Sequence, residues 1–163
     1  MQFVKVDRKY IAEIHESVDS QVMINHTESG SEKDRLNALL VRIKYKGKNR
    51  EFALPLSHAI KTLKNHKLTY YALDNFDDEN NTVGGLFFKK CLPVNRRLYA
   101  KTKIVKEPFL TVFNLVNKHE KDIVDKFKLY LDEYVAKQAK GKGFNCSTNI
   151  DNIIIFMDAN YVV

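Results

Sequence analysis

Little in this chain invites cross-linking or metal binding. Cysteine occurs twice in 163 residues, as Cys91 and Cys146. Neither sits in a CxxC pair, which argues against a structural zinc site. Without a secretory signal, both read as reduced, small apolar fillers. Long apolar runs are missing too, and none approaches the about 20 residues needed to span a bilayer. The opening stretch, MQFVKVDRKYIAEIHES, is charged from its first few residues. It lacks the apolar segment and the small-residue cleavage site of a signal peptide, so a cytoplasmic location is expected. There is no lipidation motif, no internal repeat and no low-complexity stretch. Several catalytic signatures are absent as well. No GxxxxGK[ST] phosphate loop occurs, and Gly84-Gly85 alone does not make one. No GxSxG elbow occurs. His119-Glu120 opens like a zinc-protease motif, but Ile123 stands where the second histidine is needed. The acidic run Asp77, Asp78, Glu79 reads better as a hydrated loop than as a metal site. Neither a metal nor a cofactor is expected.

What is present is ordinary globular material with a basic surplus. Hydrophobic residues make up 44% and charged residues 29%. The length suits one domain, residues 1–163, able to bury a core without staples. Lys and Arg number 27 against 20 Asp and Glu, a net charge of +7. Such a surplus favours a polyanion as partner. No basic amphipathic helix with a bulky outward apolar face is evident, which puts nucleic acid ahead of a membrane surface.

Hydrophobic periodicity outlines the elements. Residues 2–6 read as a short strand. Asp7 then caps a helix over residues 8–17, with Tyr10, Ile11, Ile14 and Val18 on one face. Residues 20–33 have no period and form a long loop. Strict alternation predicts a strand over 39–45. Gly47, Lys48 and Asn49 supply a turn, and Phe52, Leu54 and Leu56 a return strand, making a β-hairpin. Residues 57–66 suit a short helix, 68–73 a strand, 74–82 an exposed loop, and 86–92 a strand closed by Pro93. A weaker strand covers 97–104. Pro108 opens a helical region to about residue 139, broken near 117–119, and Gly141 stops it. The apolar run 153–157 reads as a final strand or a docked turn. Strand, helix, several strands and then helices amount to an α+β fold with an antiparallel sheet.

The most telling stretch is FALPLSHAIKTLKNH, residues 52–66. An apolar strand ends at Pro55-Leu56 and opens into Ser57, His58, Lys61, Lys64 and His66. Breaking an RNA phosphodiester requires a proton taken from the 2′-hydroxyl, charge held on the phosphorane and a proton given to the leaving oxygen. Histidine and lysine can move protons near neutral pH when tuned, and lysine or arginine can hold phosphate. Ser57 can hydrogen-bond a non-bridging oxygen, and equally can be a helix N-cap. His58 can exchange a proton, or simply face solvent in a first turn. Lys61 lies one turn on and can face the same phosphate. Lys61 and Lys64 also fit a solvated face, and His66 a helix end. Further cations surround the later turns: Lys89, Lys90, Arg96, Arg97, Lys101 and Lys103, then Lys137, Lys140 and Lys142. Phe87, Phe88 and Tyr99 are interleaved with the first set and offer stacking faces for single-stranded RNA, although alternation favours the core for Phe88. An RNA-binding module without catalysis fits the same charges, since a pure binder does not need the histidine. A basic protein-interaction domain is a third reading.

Three stretches resemble a known family, the type III toxin–antitoxin endoribonuclease toxins of the ToxN, AbiQ and CptN group. They are FVKVDRKYIAEI, the hairpin LLVRIKYKGKNREFALPLSHAIK, and GGLFFKKCLPV with its terminal proline. The tail GFNCSTN is similar as well. The resemblance implies a strongly twisted antiparallel sheet related to the small barrel of other toxin ribonucleases, with packed helices, two of them C-terminal. It implies metal-independent cleavage of RNA to a 2′,3′-cyclic phosphate. It also implies processing of a repeat antitoxin RNA, whose folded repeats, pseudoknots, inhibit the toxin in a closed protein–RNA assembly. Ser57 matches the hydroxyl after Pro55-Leu56, and Lys61 the following lysine at a spacing one residue longer. His58 stands where some relatives carry a second hydroxyl, which points to the His-bearing, CptN-like branch. Arg35 matches a basic phosphate-binding position, and Tyr10 a residue of the first helix counted among the RNA contacts.

Overall fold

The computed structural model describes residues 1–24, 38–57, 67–73, 84–104, 106–107 and 109–162. The chain begins with strand β1 (Gln2–Val6) and helix α1 (Arg8–Ser17). Asp7 caps α1 by accepting a hydrogen bond from the Tyr10 amide at 2.9 Å. Tyr10 and Ile14, one turn apart, supply its buried face. Strands β2 (Ala38–Tyr45) and β3 (Lys48–Ser57) form the hairpin that alternation predicts. Its turn is Lys46-Gly47, with φ of 46° and 82°. Positive φ at both central residues matches the right-handed strand twist, and glycine takes the second position without penalty.

Short strands follow: β4 (Tyr70–Ala72), β5 (Gly85–Phe87), β6 (Leu92–Val94) and β7 (Tyr99–Lys101). The single strand expected over 86–92 is interrupted. Leu86 lies opposite Leu56 and Leu92 opposite Ala53, so this stretch advances six residues while β3 advances three. The surplus is the 3-10 turn Phe88–Lys90. Contrary to the expectation from the sequence, Pro93 does not close a strand. It sits inside β6 opposite Phe52, on an edge where its missing N–H leaves no ladder bond unmade. Similarly, the strand expected over 68–73 begins as a 3-10 turn, Lys67–Thr69.

The seven strands are all antiparallel in the order β4-β5-β3-β2-β1-β7, with β6 beside β3. The sheet is strongly curled: residues 95–98 alone link β6 to β7, and the Tyr99 hydroxyl reaches Glu51 of β3 at 2.9 Å. It does not close into a barrel; no ladder joins β6 to β7 among the described residues.

Helices α2 (Phe109–Lys118), α3 (Glu120–Ala139) and α4 (Ile150–Asn160) complete the fold. The break between α2 and α3 falls at His119, and Gly141 at φ +65° ends α3, both where the sequence puts them. The late segment corrects the sequence reading. It is a helix capped by Asn149, so three helices rather than two are C-terminal. Its apolar residues serve two cores. Ile150 and Ile154 join the cluster of Phe52, Phe88, Phe127 and Tyr130 beneath α2 and α3. Ile153 and Met157 join Tyr10, Ile14, Leu40 and Val94 under α1. Among the described residues, no helix is long and apolar enough to cross a membrane.

Candidate RNA cleavage and binding site

Strand register places Ser57 at one end of the sheet. Lys101, Val4, Ala38 and Pro55 form a row across β7, β1, β2 and β3. Two residues beyond that row, at the same end, stand Val6 on β1 and Ser57 on β3. Ser57 is the last residue of β3, half-buried, and pairs with Gly85, which pairs in turn with Ala72. The predicted residues His58, Lys61, Lys64 and His66 follow Ser57 directly in the chain, and Arg35 precedes Ala38 by three positions. All five lie outside the described residues.

The remaining predicted contacts fall into distinct settings. Lys101 is exposed at the end of the edge strand β7. Arg96 and Arg97 are exposed in the turn before Tyr99, with the Arg96 guanidinium 5.4 Å from the Tyr99 ring centre. Lys89 and Lys90 are half-buried in the 3-10 turn beside β3. The Lys89 ammonium donates to the Asn145 carbonyl at 3.0 Å, and that of Lys90 to the backbone and side-chain oxygens of Gln21 at 2.8 and 3.1 Å. Burial, with a small addition from Lys89, holds the Lys90 amine below the usual lysine range, against the opposing pull of Cys146 and Asp19. Lys140 and Lys142 are exposed beyond α3, on the connection that Thr148 pins to the Lys89 carbonyl at 2.8 Å.

Tyr10 does not belong in the contact set. Its side chain is fully buried, and its hydroxyl donates to the Pro93 carbonyl at 2.7 Å. Burial also drives that phenol far above the ordinary tyrosine range, with smaller contributions from Tyr161 and Asp158. Tyr10 therefore acts as a tie between α1 and β6. The stacking faces expected of Phe87, Phe88 and Tyr99 are likewise buried. Cys146 corrects in the other direction: it is exposed, at φ 55°, whereas Cys91 is the buried filler, its thiol pushed up to about 12 by burial.

Two groups at or near the Ser57 end escaped the sequence reading. Lys126 of α3 lies over the rings of Tyr70 and Tyr71 on β4, at 5.3 and 5.6 Å from their centres. Lys5, Arg8 and Lys9 line a groove with Arg97 where β1 passes into α1. Their signal in the sequence was only the scattered basic residues of KVDRK, which helix and strand periods absorb.

The topology, the curled open sheet and the three late helices can be set beside known structures. The chain has the fold of AbiQ, a lactococcal anti-phage endoribonuclease of the type III toxin–antitoxin system. The AbiQ match covers 97% of this chain and 96% of that one, with a TM-score of 0.71 and 17% identity. A bacterial antiviral system regulated by a processed non-coding RNA supplies a second match, at 0.68 and 16% over 95% and 96% of the two chains. A type III toxin inhibited by a non-coding RNA pseudoknot supplies a third, at 0.65 and 17% over 97% and 96%. No family model matches the sequence, and no curated protein does. At this identity the AbiQ likeness is one of fold, and it spans the chain from β1 to α4.

Proposed function

We propose that this protein is an endoribonuclease toxin of a type III toxin–antitoxin system, cutting cellular RNA in the cytoplasm and held inactive by a folded repeat RNA. The observation that carries the reading is an AbiQ fold over 97% of the chain together with Ser57 at the end of β3, where the LSHAIK segment begins. In this reading the ribose 2′-hydroxyl gives its proton to a general base and attacks the neighbouring phosphorus. The bond from phosphorus to the 5′-oxygen breaks, and that oxygen takes a proton from a general acid. The products are a 2′,3′-cyclic phosphate and a 5′-hydroxyl, and no metal takes part. His58 is the proposed proton carrier. Ser57 donates to a non-bridging oxygen, while Lys61 and Arg35 hold the phosphorane charge. His58 also carries the assignment to the CptN-like branch. The antitoxin is proposed to be processed by the same site and to fold as a pseudoknot, the kind of RNA that inhibits a protein of this fold. Toxin and RNA then form a closed assembly.

The test is cleavage of RNA by the purified protein in excess chelator, with mass analysis of the ends. Cyclic phosphate termini are expected. His58→Ala is expected to lower the rate by about 10²–10⁴-fold, the usual share of a proton-transfer group. It should abolish toxicity in cells while the repeat RNA still binds, because binding is spread over many cations. Ser57→Ala and Lys61→Ala should each slow cleavage. Activity that disappears with chelator and returns with magnesium overturns the mechanism. A protein that binds the repeat RNA and cuts nothing is the binding module instead.

A further inference from the structure

We propose that Tyr70 is a base-stacking residue, holding a nucleobase of the single strand that flanks the scissile bond. The proposal rests on the reading of Ser57 as part of an RNA-cleaving site. Residues paired across neighbouring strands share a face, and the face alternates along each strand. Ser57 pairs with Gly85, and Gly85 with Ala72, so these three share one face. Two residues back along β4, Tyr70 is on that face as well. Leu56, Leu86 and Tyr71 take the other face. There Leu86 belongs to the core beneath α2 and α3, and Leu56 and Tyr71 pack against it. Among the described residues, Tyr70 joins neither core, and it is half-buried. Its cross-strand partner on the same face, Phe87, is buried, so Tyr70 is the ring of this pair that a base can reach.

The ring is also held in place. Strand β4 is the outermost of the sheet among the described residues. The Lys126 ammonium lies at its edge, 5.3 Å from the ring centre of Tyr70 and 5.6 Å from that of Tyr71. A cation against an aromatic face restrains the side chain. A ring already restrained loses less freedom when a base stacks on it. Stacking of this kind is open to every base, because each has a π-face. The separation suits a single strand. Strands β4 and β3 are two spacings apart, roughly 10 Å, and Tyr70 lies about 7 Å along the strand from Ala72. A short stretch of extended RNA covers that distance.

The experiment measures binding of a 2′-O-methyl single-stranded RNA, which cannot undergo internal attack, to the intact chain. Tyr70→Leu is expected to weaken binding by about 5- to 150-fold, the usual contribution of one stacked base. A tyrosine ring carries no charge, so log affinity against log salt should keep the wild-type slope. Tyr70→Phe keeps the ring and should bind within about twofold of the wild type. A second arm needs no variant. The wild type is irradiated with the same RNA carrying 5-iodouracil, and a base joined to Tyr70 is expected on mass analysis of the peptides. A folded Leu variant that binds like the wild type overturns the assignment. So does a flattened slope, a Phe variant that loses as much as the Leu one, or crosslinking confined to other residues. Absence of any RNA binding by the wild type overturns it too. Cleavage of unmodified RNA is scored separately. A crosslink at Tyr70 in a protein that cuts nothing keeps the stacking residue and rejects the endonuclease reading. Intact cleavage without that crosslink rejects the stacking residue alone.

Discussion

Tyr10 illustrates what a single residue can conceal. Its spacing from Ile14 is that of a core-facing helix residue, and its position in DRKYIAEI equally suits a site. The hydrogen bond to the Pro93 carbonyl decides between them, and that partner lies 83 positions away. No local pattern carries such information. Tyr10→Phe leaves the carbonyl buried without its donor, which costs about 1–3 kcal/mol. Urea unfolding followed by circular dichroism should show a lower midpoint with an unchanged slope. Loss of RNA cleavage beyond what unfolding explains would instead restore a direct role. The end of β3 near Ser57 was legible for the opposite reason: alternation along a strand is local information. Phe87 and Tyr99 were not, because a short strand in a curled sheet hides both of its faces.

Elements with a clear period came through intact. The boundaries of β1 and α1, the hairpin and the break at His119 all follow from alternation, helical spacing and capping. Helix α4 did not, since a short apolar run has no period of its own. It is apolar on two sides because it serves two cores, so the amphipathic signature is erased. Substitution separates its faces. Ile153 is fully buried, and Ile153→Ala should cost about 2–5 kcal/mol. Ile155 is 68% exposed, and Ile155→Ala should fall within about 0.5 kcal/mol of the wild type. Thermal melts of the pair check both. Equal losses would mean that α4 packs on another face.

For the molecule as a whole, ion pairs tie the hairpin to helix α4. Three cations of the hairpin have carboxylate partners: Arg42 with Glu51 at 2.5 Å, Lys46 with Asp151 at 2.8 Å and Arg50 with Asp158 at 2.6 Å. The net charge was visible in composition, but which cations are paired depends on which elements meet. Acid titration probes the hairpin end. The Arg50 hydrogen bond holds the Asp158 carboxyl below the usual range. Its stabilisation is therefore complete above the ordinary carboxylate value and lost as pH falls through the lower, folded one. Asp158→Asn should cost up to about 1 kcal/mol at neutral pH, since water screens this half-exposed pair. That difference should vanish once the carboxylate is protonated; a gap that persists in acid would assign the cost to packing. The double service of α4 also has a genetic consequence. A stop codon just before Ile150 removes Ile150 and Ile154 from one core and Ile153 and Met157 from the other. A nonsense or frameshift mutation that late should silence the gene as fully as one near its start. In the proposed reading as a toxin, selection for cells that survive its expression should therefore recover truncations scattered along nearly the whole reading frame.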